Sequence, residues 1–175
     1  MRLKPPKFIR WLMPDLIWEM KDRSAVYLTF DDGPTPGITE WILSTLDKYD
    51  AKATFFVLGK NAEMYPDLYR RILDAGHRIG NHTYSHQKGW GMSLERYIED
   101  VDFANDLLHT ELFRPPYARI TPAQARALGK RYKLVMWDVL SRDYNRALSP
   151  RTCLRNVTRY LEGGSIVVFH DSEKS

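Results

Sequence analysis

The sequence contains a single cysteine, Cys153, which excludes several kinds of protein. One cysteine cannot form an internal disulfide, and it cannot supply a cysteine-rich metal knuckle. A lone cysteine fits a reducing compartment without establishing one.

The sequence also lacks a long apolar run. Near the amino terminus, the runs Trp11–Met13 and Leu16–Trp18 are interrupted by Pro14-Asp15 and are too short for a signal peptide or a membrane span. We expect residues 1–22 to form an arm that packs on the folded domain, with an interfacial amphipathic segment as the alternative. No export signal is visible, so the cytoplasm is the default location.

Charge of one sign is not concentrated anywhere in the chain. The net charge is +4 and the pI about 9.1, but the basic residues alternate with acids, as in Arg70-Arg71 followed by Asp74. Such mixing is typical of solvated helix faces and not of a phosphate-binding stripe. We therefore expect no nucleic-acid partner, and no protein partner is evident.

What the sequence does contain is a regular alternation of strand-like and helix-like segments. A length of 175 residues suits one domain, here residues 23–175. The continuous apolar runs predict strands at Val26–Phe30, Thr54–Val57, Arg78–Asn81, Glu111–Phe113, Lys133–Trp137 and Ile166–Phe169. Apolar residues at helical spacing predict helices at Ile38–Tyr49, Ala62–Ala75, after Ser93, at Thr121–Leu128 and at Ser149–Leu161. This alternation predicts an α/β fold with a parallel sheet, and a single functional rim favours a (β/α) barrel.

Polar clusters follow these strands, where loops of an α/β fold converge. The first is Asp31-Asp32, which Gly33-Pro34 follows immediately. On a regular strand two successive side chains point to opposite faces, but a bend turns both carboxylates inward. The alternative is an Asx-type turn with two solvated acids.

The second cluster contains His82 and His86, four residues apart. They reach one cation if the segment winds into a turn; otherwise they are hydrogen-bonded loop histidines. With Asp32 they make a three-ligand set that leaves positions open, as in catalytic zinc sites. We expect a divalent cation here, zinc first, with cobalt or nickel as alternatives. Asp31 would then be the free carboxylate beside it.

Two further basic side chains follow later strands. Arg114 is either a partner for Asp31 or a surface arginine. His170 ends a strongly apolar strand, and three roles stay open for it: a metal ligand, a core histidine or a general acid. Asp138 or Asp143 is placed to fix its tautomer. In contrast, His77 and His109 precede strands, so we interpret them as structural.

Taken in order, these segments resemble the polysaccharide deacetylases of carbohydrate esterase family 4, the NodB-homology enzymes. The matching segments are Thr29-Phe30-Asp31-Asp32-Gly33-Pro34, His82-Thr83-Tyr84-Ser85-His86, Arg114-Pro115-Pro116-Tyr117 and Val168-Phe169-His170-Asp171. The resemblance covers Val26 to the last residue. It implies a deformed (β/α) barrel, usually of seven strands, that removes N-acetyl groups from sugars such as N-acetylglucosamine.

The resemblance also implies a role for each matching residue. The base would be Asp31 and the acid His170, oriented by Asp143. Arg114 would orient Asp31, and the backbone N–H of Tyr117 would help hold the oxyanion. The metal ligands would be Asp32, His82 and His86.

The sequence departs from the family pattern in three places. Leu140 and Tyr144 replace an acid and a tryptophan of the fourth motif, and Ala118 stands where glycine often follows the tyrosine. The chain also stops five residues after His170, which suggests either a truncated chain or a barrel left open there. These departures keep two alternatives: a non-catalytic carbohydrate-binding relative, or a hydrolase of other acetylated substrates such as xylan.

Overall fold

The computed structural model describes residues 4–5 and 7–175, and it contains one parallel sheet with helices around it. The strands are β1 (Tyr27–Asp31), β2 (Thr54–Val57), β3 (Arg78–Asn81), β4 (Leu112–Phe113), β5 (Lys133–Leu134), β6 (Val139–Leu140) and β7 (Ile166–His170). The helices are α1 (Lys7–Leu12), α2 (Ile38–Lys48), α3 (Gly59–Met64), α4 (Pro66–Asp74), α5 (Leu94–Leu108), α6 (Pro122–Leu128) and α7 (Pro150–Thr158), with a short 3₁₀ turn at Pro116–Ala118.

The sheet has the strand order β5-β4-β3-β2-β1-β7-β6, and every pairing in it is parallel. It curls into an incomplete barrel, which confirms the predicted deformed (β/α) fold. In the central register, Asp31 pairs with Phe56 on one side and His170 on the other. The carboxyl ends of β1, β2 and β7 therefore lie level, and their loops open onto one rim.

Residues of the N-terminal segment lie across the gap between the two edges of the sheet. Ile17 bridges to Val135 beyond β5, and Glu19 bridges to Ser165 just before β7. Leu16 and Trp18 are buried in the same apolar core as the strands. This part of the predicted arm packs on the barrel, while residues 1–3 and 6 lie outside the described residues. The division at residue 22 stays a prediction.

One predicted helix is in fact two. The segment predicted as Ala62–Ala75 forms α3 and α4, separated at Tyr65, whose φ of −127° is not helical. Pro66 is the cause, because proline lacks an N–H and disfavours the helical conformation of the residue before it. The new helix starts at the proline, where a missing N–H costs nothing.

The predicted strand Lys133–Trp137 is also wrong in extent. Only Lys133–Leu134 pairs with β4, and the chain then crosses to the other edge to form β6, which the sequence did not predict. The crossing residues have other partners: Ile17 bonds to the backbone of Met136, and the carbonyls of Val135 and Met136 accept from Arg114. Regular pairing ends where these contacts begin.

Candidate active site

The loops at the carboxyl ends of the strands enclose a cavity of about 300 Å³. Its walls include Asp31, Asp32, His82, His86, Tyr117, Leu140, Tyr144 and His170. These side chains come from five separate loops. The alternation of strands and helices therefore brings the sequence-predicted residues to one place.

Asp32, His82 and His86 form a compact cluster whose ligand atoms lie within 4.8 Å of one another. The Oδ1 atom of Asp32 lies 3.0 Å from His86 Nε2 and 3.5 Å from His82 Nε2. Asp32 has a φ of 83° and His86 a φ of 62°. These positive angles are the bends that turn the side chains inward, which a regular strand would not permit.

The hydrogen bonds of His82 decide which of its nitrogens faces the cluster. Its Nδ1 lies 2.7 Å from the backbone carbonyl of Arg114, an acceptor only, so Nδ1 carries the proton. Burial lowers the pKa of His82 to about 4, against the opposing charges of Asp31 and Asp32, and the ring is neutral. Its Nε2 therefore presents a lone pair to Asp32.

Asp32 Oδ1 is buried and has no hydrogen-bond partner among the described residues. An anionic oxygen facing an imidazole lone pair is unfavourable unless a cation lies between them. The donor set, two imidazoles and one carboxylate, thus fits a divalent cation such as zinc.

Asp31 lies beside this cluster but is not one of its ligands. Its side chain is 4% exposed, and its Oδ1 accepts a hydrogen bond of 2.7 Å from Arg114 Nη1. The pairing offsets the repulsion between two adjacent carboxylates, because each now has its own cationic or metal-directed partner. The Asp31 side chain is thereby held in a fixed direction.

Arg114 is fully buried, so the alternative of a surface arginine is wrong. Its guanidinium donates to Asp31, to Thr29 Oγ1 at 2.7 Å and to the carbonyls of Val135 and Met136 at 3.1 and 2.9 Å. Burial lowers the pKa of Arg114 while Asp31 opposes that shift, and the group stays charged. A buried charge with all these partners is a rigid support for Asp31.

His170 lies at the rim with its Nδ1 2.8 Å from Asp143 Oδ1. The second oxygen of Asp143 accepts from the His170 backbone N–H at 2.7 Å. Burial alone would lower the pKa of His170, but the hydrogen bond to Asp143 and the charges of Asp31, Asp143 and Asp32 raise it overall. Two functional roles were open for His170, a metal ligand and a general acid. The acid fits these contacts better, since the cluster of described ligand atoms does not include His170.

Asp138, the other candidate partner of His170, has a different place. Its carboxylate accepts from Ser165 Oγ at 2.9 Å and from the Ile166 backbone N–H at 2.8 Å. Both lie at the amino end of β7, whereas His170 ends that strand. Asp138 therefore caps the start of β7 and does not orient the histidine.

Tyr117 and Tyr144 form two walls of the cavity. The Tyr117 hydroxyl lies 3.2 Å from His86 Nδ1, and its backbone has a φ of 58°. Tyr144 packs edge-on against His170 with ring centroids 5.2 Å apart. Leu140 is buried beneath them. The departure at Tyr144 therefore leaves the histidine supported by an aromatic ring.

Two residues of the site were not singled out from the sequence. Thr29 accepts from Arg114 and donates from Oγ1 to the Val167 carbonyl at 2.8 Å. Asp171 is buried against Gly33 and Thr39. Both lie inside the matching motifs, next to residues with predicted roles. That position is the sequence signal that could have identified them as site residues.

Comparison with known proteins agrees with this geometry. The family model described as polysaccharide deacetylase matches residues 19–137, about two thirds of the chain. The chain belongs to the polysaccharide deacetylase family. A peptidoglycan-N-acetylglucosamine deacetylase of Bacillus cereus is 36% identical over 158 residues, which cover 86% of this chain and 57% of that protein. The chain thus spans little more than half of that relative.

Solved structures of the family share the fold. A peptidoglycan N-acetylglucosamine deacetylase superposes with a TM-score of 0.87 at 31% identity, covering 95% of this chain and 80% of the other. A Bacillus anthracis pseudoenzyme of carbohydrate esterase family 4 superposes with a TM-score of 0.82 at 25% identity, covering 90% and 59%. Within residues 4–5 and 7–175, no helix has the length and apolar character needed to cross a membrane.

Proposed function

We propose that this protein hydrolyses N-acetyl groups of an N-acetylglucosamine-containing polysaccharide or oligosaccharide, peptidoglycan-like or chitin-like, and releases acetate. The observation that carries the proposal is the separation of two adjacent carboxylates. Asp32 faces two histidines, while Asp31 is held apart by a buried arginine. That arrangement supports a metal ligand and a free base within one cavity.

The cation would be held by Asp32, His82 and His86, with zinc the first candidate and cobalt or nickel the alternatives. When bound, it would supply Lewis acidity toward water and toward the amide carbonyl. His82 is suited to this because its Nδ1 is already committed to a backbone carbonyl. Such an outer partner fixes the ring and the tautomer of a metal-binding histidine.

Asp31 would act as the general base that takes the proton from the attacking water. Arg114 would keep it aimed into the cavity by the 2.7 Å hydrogen bond to Oδ1. The backbone N–H of Tyr117 would help stabilise the negative charge that develops on the carbonyl oxygen.

His170 would act as the general acid, because the amine leaving group must gain a proton as the C–N bond breaks. Its raised pKa favours the protonated form, and Asp143 holds the ring through Nδ1. The remaining nitrogen is then free to donate to the substrate. Asp31 would thus accept a proton from the attacking water, and His170 would donate one to the leaving amine.

The proposed substrate class is that of two relatives, both peptidoglycan N-acetylglucosamine deacetylases by name. A peptidoglycan substrate would direct the protein to the cell envelope and not to the default cytoplasm. A second candidate is a non-catalytic carbohydrate-binding protein. Leu140 in place of a motif acid and the pseudoenzyme neighbour favour it, but the intact set around Asp31 and His170 favours the enzyme.

Acetate release from N-acetylated chito-oligosaccharides and from peptidoglycan tests this function. We expect the zinc-loaded protein to release acetate, and a chelator to abolish the release. His86→Ala is the matched inactive control, and His109→Ala, at the C-terminal end of α5, is the matched active one. Retention of the oligosaccharide without any acetate would support the binding protein instead.

A further inference from the structure

Asp171 is a buried carboxylate for which the proposed chemistry has no use. It is 1% exposed, although it directly follows His170 at the functional rim. Its Oδ1 accepts from the Gly33 backbone N–H at 2.9 Å, and its Oδ2 accepts from the Thr39 hydroxyl at 2.8 Å. Its own N–H donates to the Asp31 carbonyl at 3.0 Å. Asp171 therefore contacts the backbone on both sides of Asp32, at Asp31 and at Gly33.

Gly33 is shaped to receive this carboxylate. A Cβ atom at Gly33 would lie 1.8 Å from Asp171 Oδ2 and 2.5 Å from Oδ1, which no side chain permits. The glycine is therefore required for close approach and not for a positive φ. Gly33 and Asp171 form one steric and hydrogen-bonded unit.

The backbone beside this unit needs outside support. Asp32 has a φ of 83°, a conformation that is unfavourable for a residue with a side chain and persists only where its surroundings hold it. Three neighbours do so: Asn61 donates to the Asp32 carbonyl at 2.8 Å, Leu58 donates to the Gly33 carbonyl at 3.1 Å, and Asp171 receives the Gly33 N–H.

We propose that Asp171 is a positioning residue that fixes the Asp31–Gly33 bend, so that Asp32 Oδ1 faces His82 and His86 while Asp31 stays with Arg114. The proposal rests on the metal site of the proposed function. It also links the two halves of the site, since Asp171 follows His170 in sequence and its N–H donates to the Asp31 carbonyl. Residues that orient ligands from outside are worth about 10–100-fold in metal affinity or activity.

The chain contains a matched control at the other end of β7. Asp138 is 2% exposed and also accepts one backbone N–H and one hydroxyl, from Ile166 and Ser165. The two carboxylates thus have similar burial and the same kinds of hydrogen-bond partner, and Asp138 Oδ2 also lies 3.9 Å from Lys4 Nζ. Of the two, only Asp171 touches the metal-site loop. A purely structural role would give both the same consequences.

The test measures zinc dissociation constants by competition with a chelating dye, together with kcat, KM and thermal unfolding. We expect Asp171→Ala to weaken zinc binding about 10–100-fold and to lower kcat more than it raises KM. Asp138→Ala should lose comparable thermal stability yet keep zinc affinity within about twofold of the wild type.

The conservative variant Asp171→Asn should restore most of the lost zinc affinity. Burial raises the pKa of the Asp171 carboxyl to about 8, so this position accepts a neutral side chain, and the amide oxygen still receives the Gly33 N–H. Zinc affinity of Asp171→Ala equal to that of Asp138→Ala would overturn the proposal. So would an Asn variant as weak as the Ala variant.

Thr39→Val is a second test of the proposal, which applies if Asp171→Ala does not fold. It removes the hydroxyl that donates to Oδ2 and keeps the shape of a fully buried residue. We expect zinc affinity to fall by about threefold to tenfold, and unchanged affinity would contradict the role of Asp171. A wild-type chain without zinc affinity would instead overturn the metal site on which the proposal depends.

Discussion

The two ends of the sheet both carry cavities and buried histidines, but they differ in how their polar groups are satisfied. The amino end has the larger cavity, about 800 Å³, with mostly apolar walls. The carboxyl end has the smaller one, about 300 Å³, with an unpaired buried carboxylate oxygen and several non-glycine residues at positive φ, namely Asp32, Thr83, His86, Tyr117 and Ala118. Among the described residues, the amino end also has two non-glycine residues at positive φ, Asp50 and His109. What distinguishes the functional end is therefore the concentration of strained backbone around one unpaired carboxylate oxygen, and not volume.

His77 at the amino end and His82 at the carboxyl end show the same contrast in the hydrogen bonds of their rings. Both are buried, and burial lowers the pKa of each. His77 Nδ1 accepts from the Ala53 backbone N–H at 3.3 Å, whereas His82 Nδ1 donates to the Arg114 carbonyl. The first contact uses up a lone pair in the structure, and the second leaves one free for a ligand.

Among the variants that compare the two ends of the sheet, Arg114→Met should have the largest effect on stability and on kcat. The change leaves Asp31 buried without its cation, and breaking a buried pair costs about 3–5 kcal/mol of unfolding free energy. Since Asp31 also loses its orientation, kcat should fall at least as far as for loss of a general base, about 10²–10⁴-fold. Denaturant unfolding and steady-state kinetics measure both.

The control for that variant is Arg131→Met, at the exposed ion pair with Asp102. It should change stability by no more than about 1 kcal/mol and leave kcat alone. Equal stability loss in the two variants would show that Arg114 contributes no more than a surface arginine.

His170→Ala should have the next largest effect, and one that depends on the leaving group. N-deacetylation should slow by about 10²–10⁴-fold, and hydrolysis of an activated ester far less, since that leaving group needs little protonation. The raised pKa of His170 keeps the acid protonated above the usual value of about 6.5, so the wild-type rate should fall only at higher pH. The variant should lose that alkaline limb. Equal losses on amide and ester would assign His170 to packing or to metal binding.

His77→Gln, at the opposite end, should have the smallest effect on turnover. Glutamine can still accept the Ala53 N–H, so kcat should match the wild type. Because burial lowers the folded-state pKa of His77, its contribution to stability is present above about pH 6.5 and is lost as the pH falls through the lower folded value. The unfolding free energy of the variant should therefore depend less on acidic pH. A drop in kcat would mean that the amino end takes part in the reaction.

The sequence was informative about residues whose position depends on one strand and the loop that follows it. Asp31, His82, Arg114 and His170 follow apolar runs, and parallel strands with level carboxyl ends bring such residues together. The errors arose where distant contacts decide. Strand β5 ends at Leu134 because the carbonyls of Val135 and Met136 accept from a buried arginine, and that contact has no local signal.

The choice between Asp138 and Asp143 had the same limit. Both follow the same apolar run, and only the sheet order shows that Asp138 meets the start of β7 and Asp143 its end. Tyr65 is different, since Pro66 was visible in the sequence and its effect on the preceding residue was underestimated.

The most direct test of the account is the zinc content of two neighbouring variants, Asp31→Asn and Asp32→Asn, alongside their deacetylation rates. We expect Asp31→Asn to retain zinc at the wild-type stoichiometry while its rate falls by about 10²–10⁴-fold, as for loss of a general base. Asp32→Asn should lose both zinc and activity. Zinc lost from Asp31→Asn, or kept at full affinity in Asp32→Asn, would contradict the division of roles between the two carboxylates.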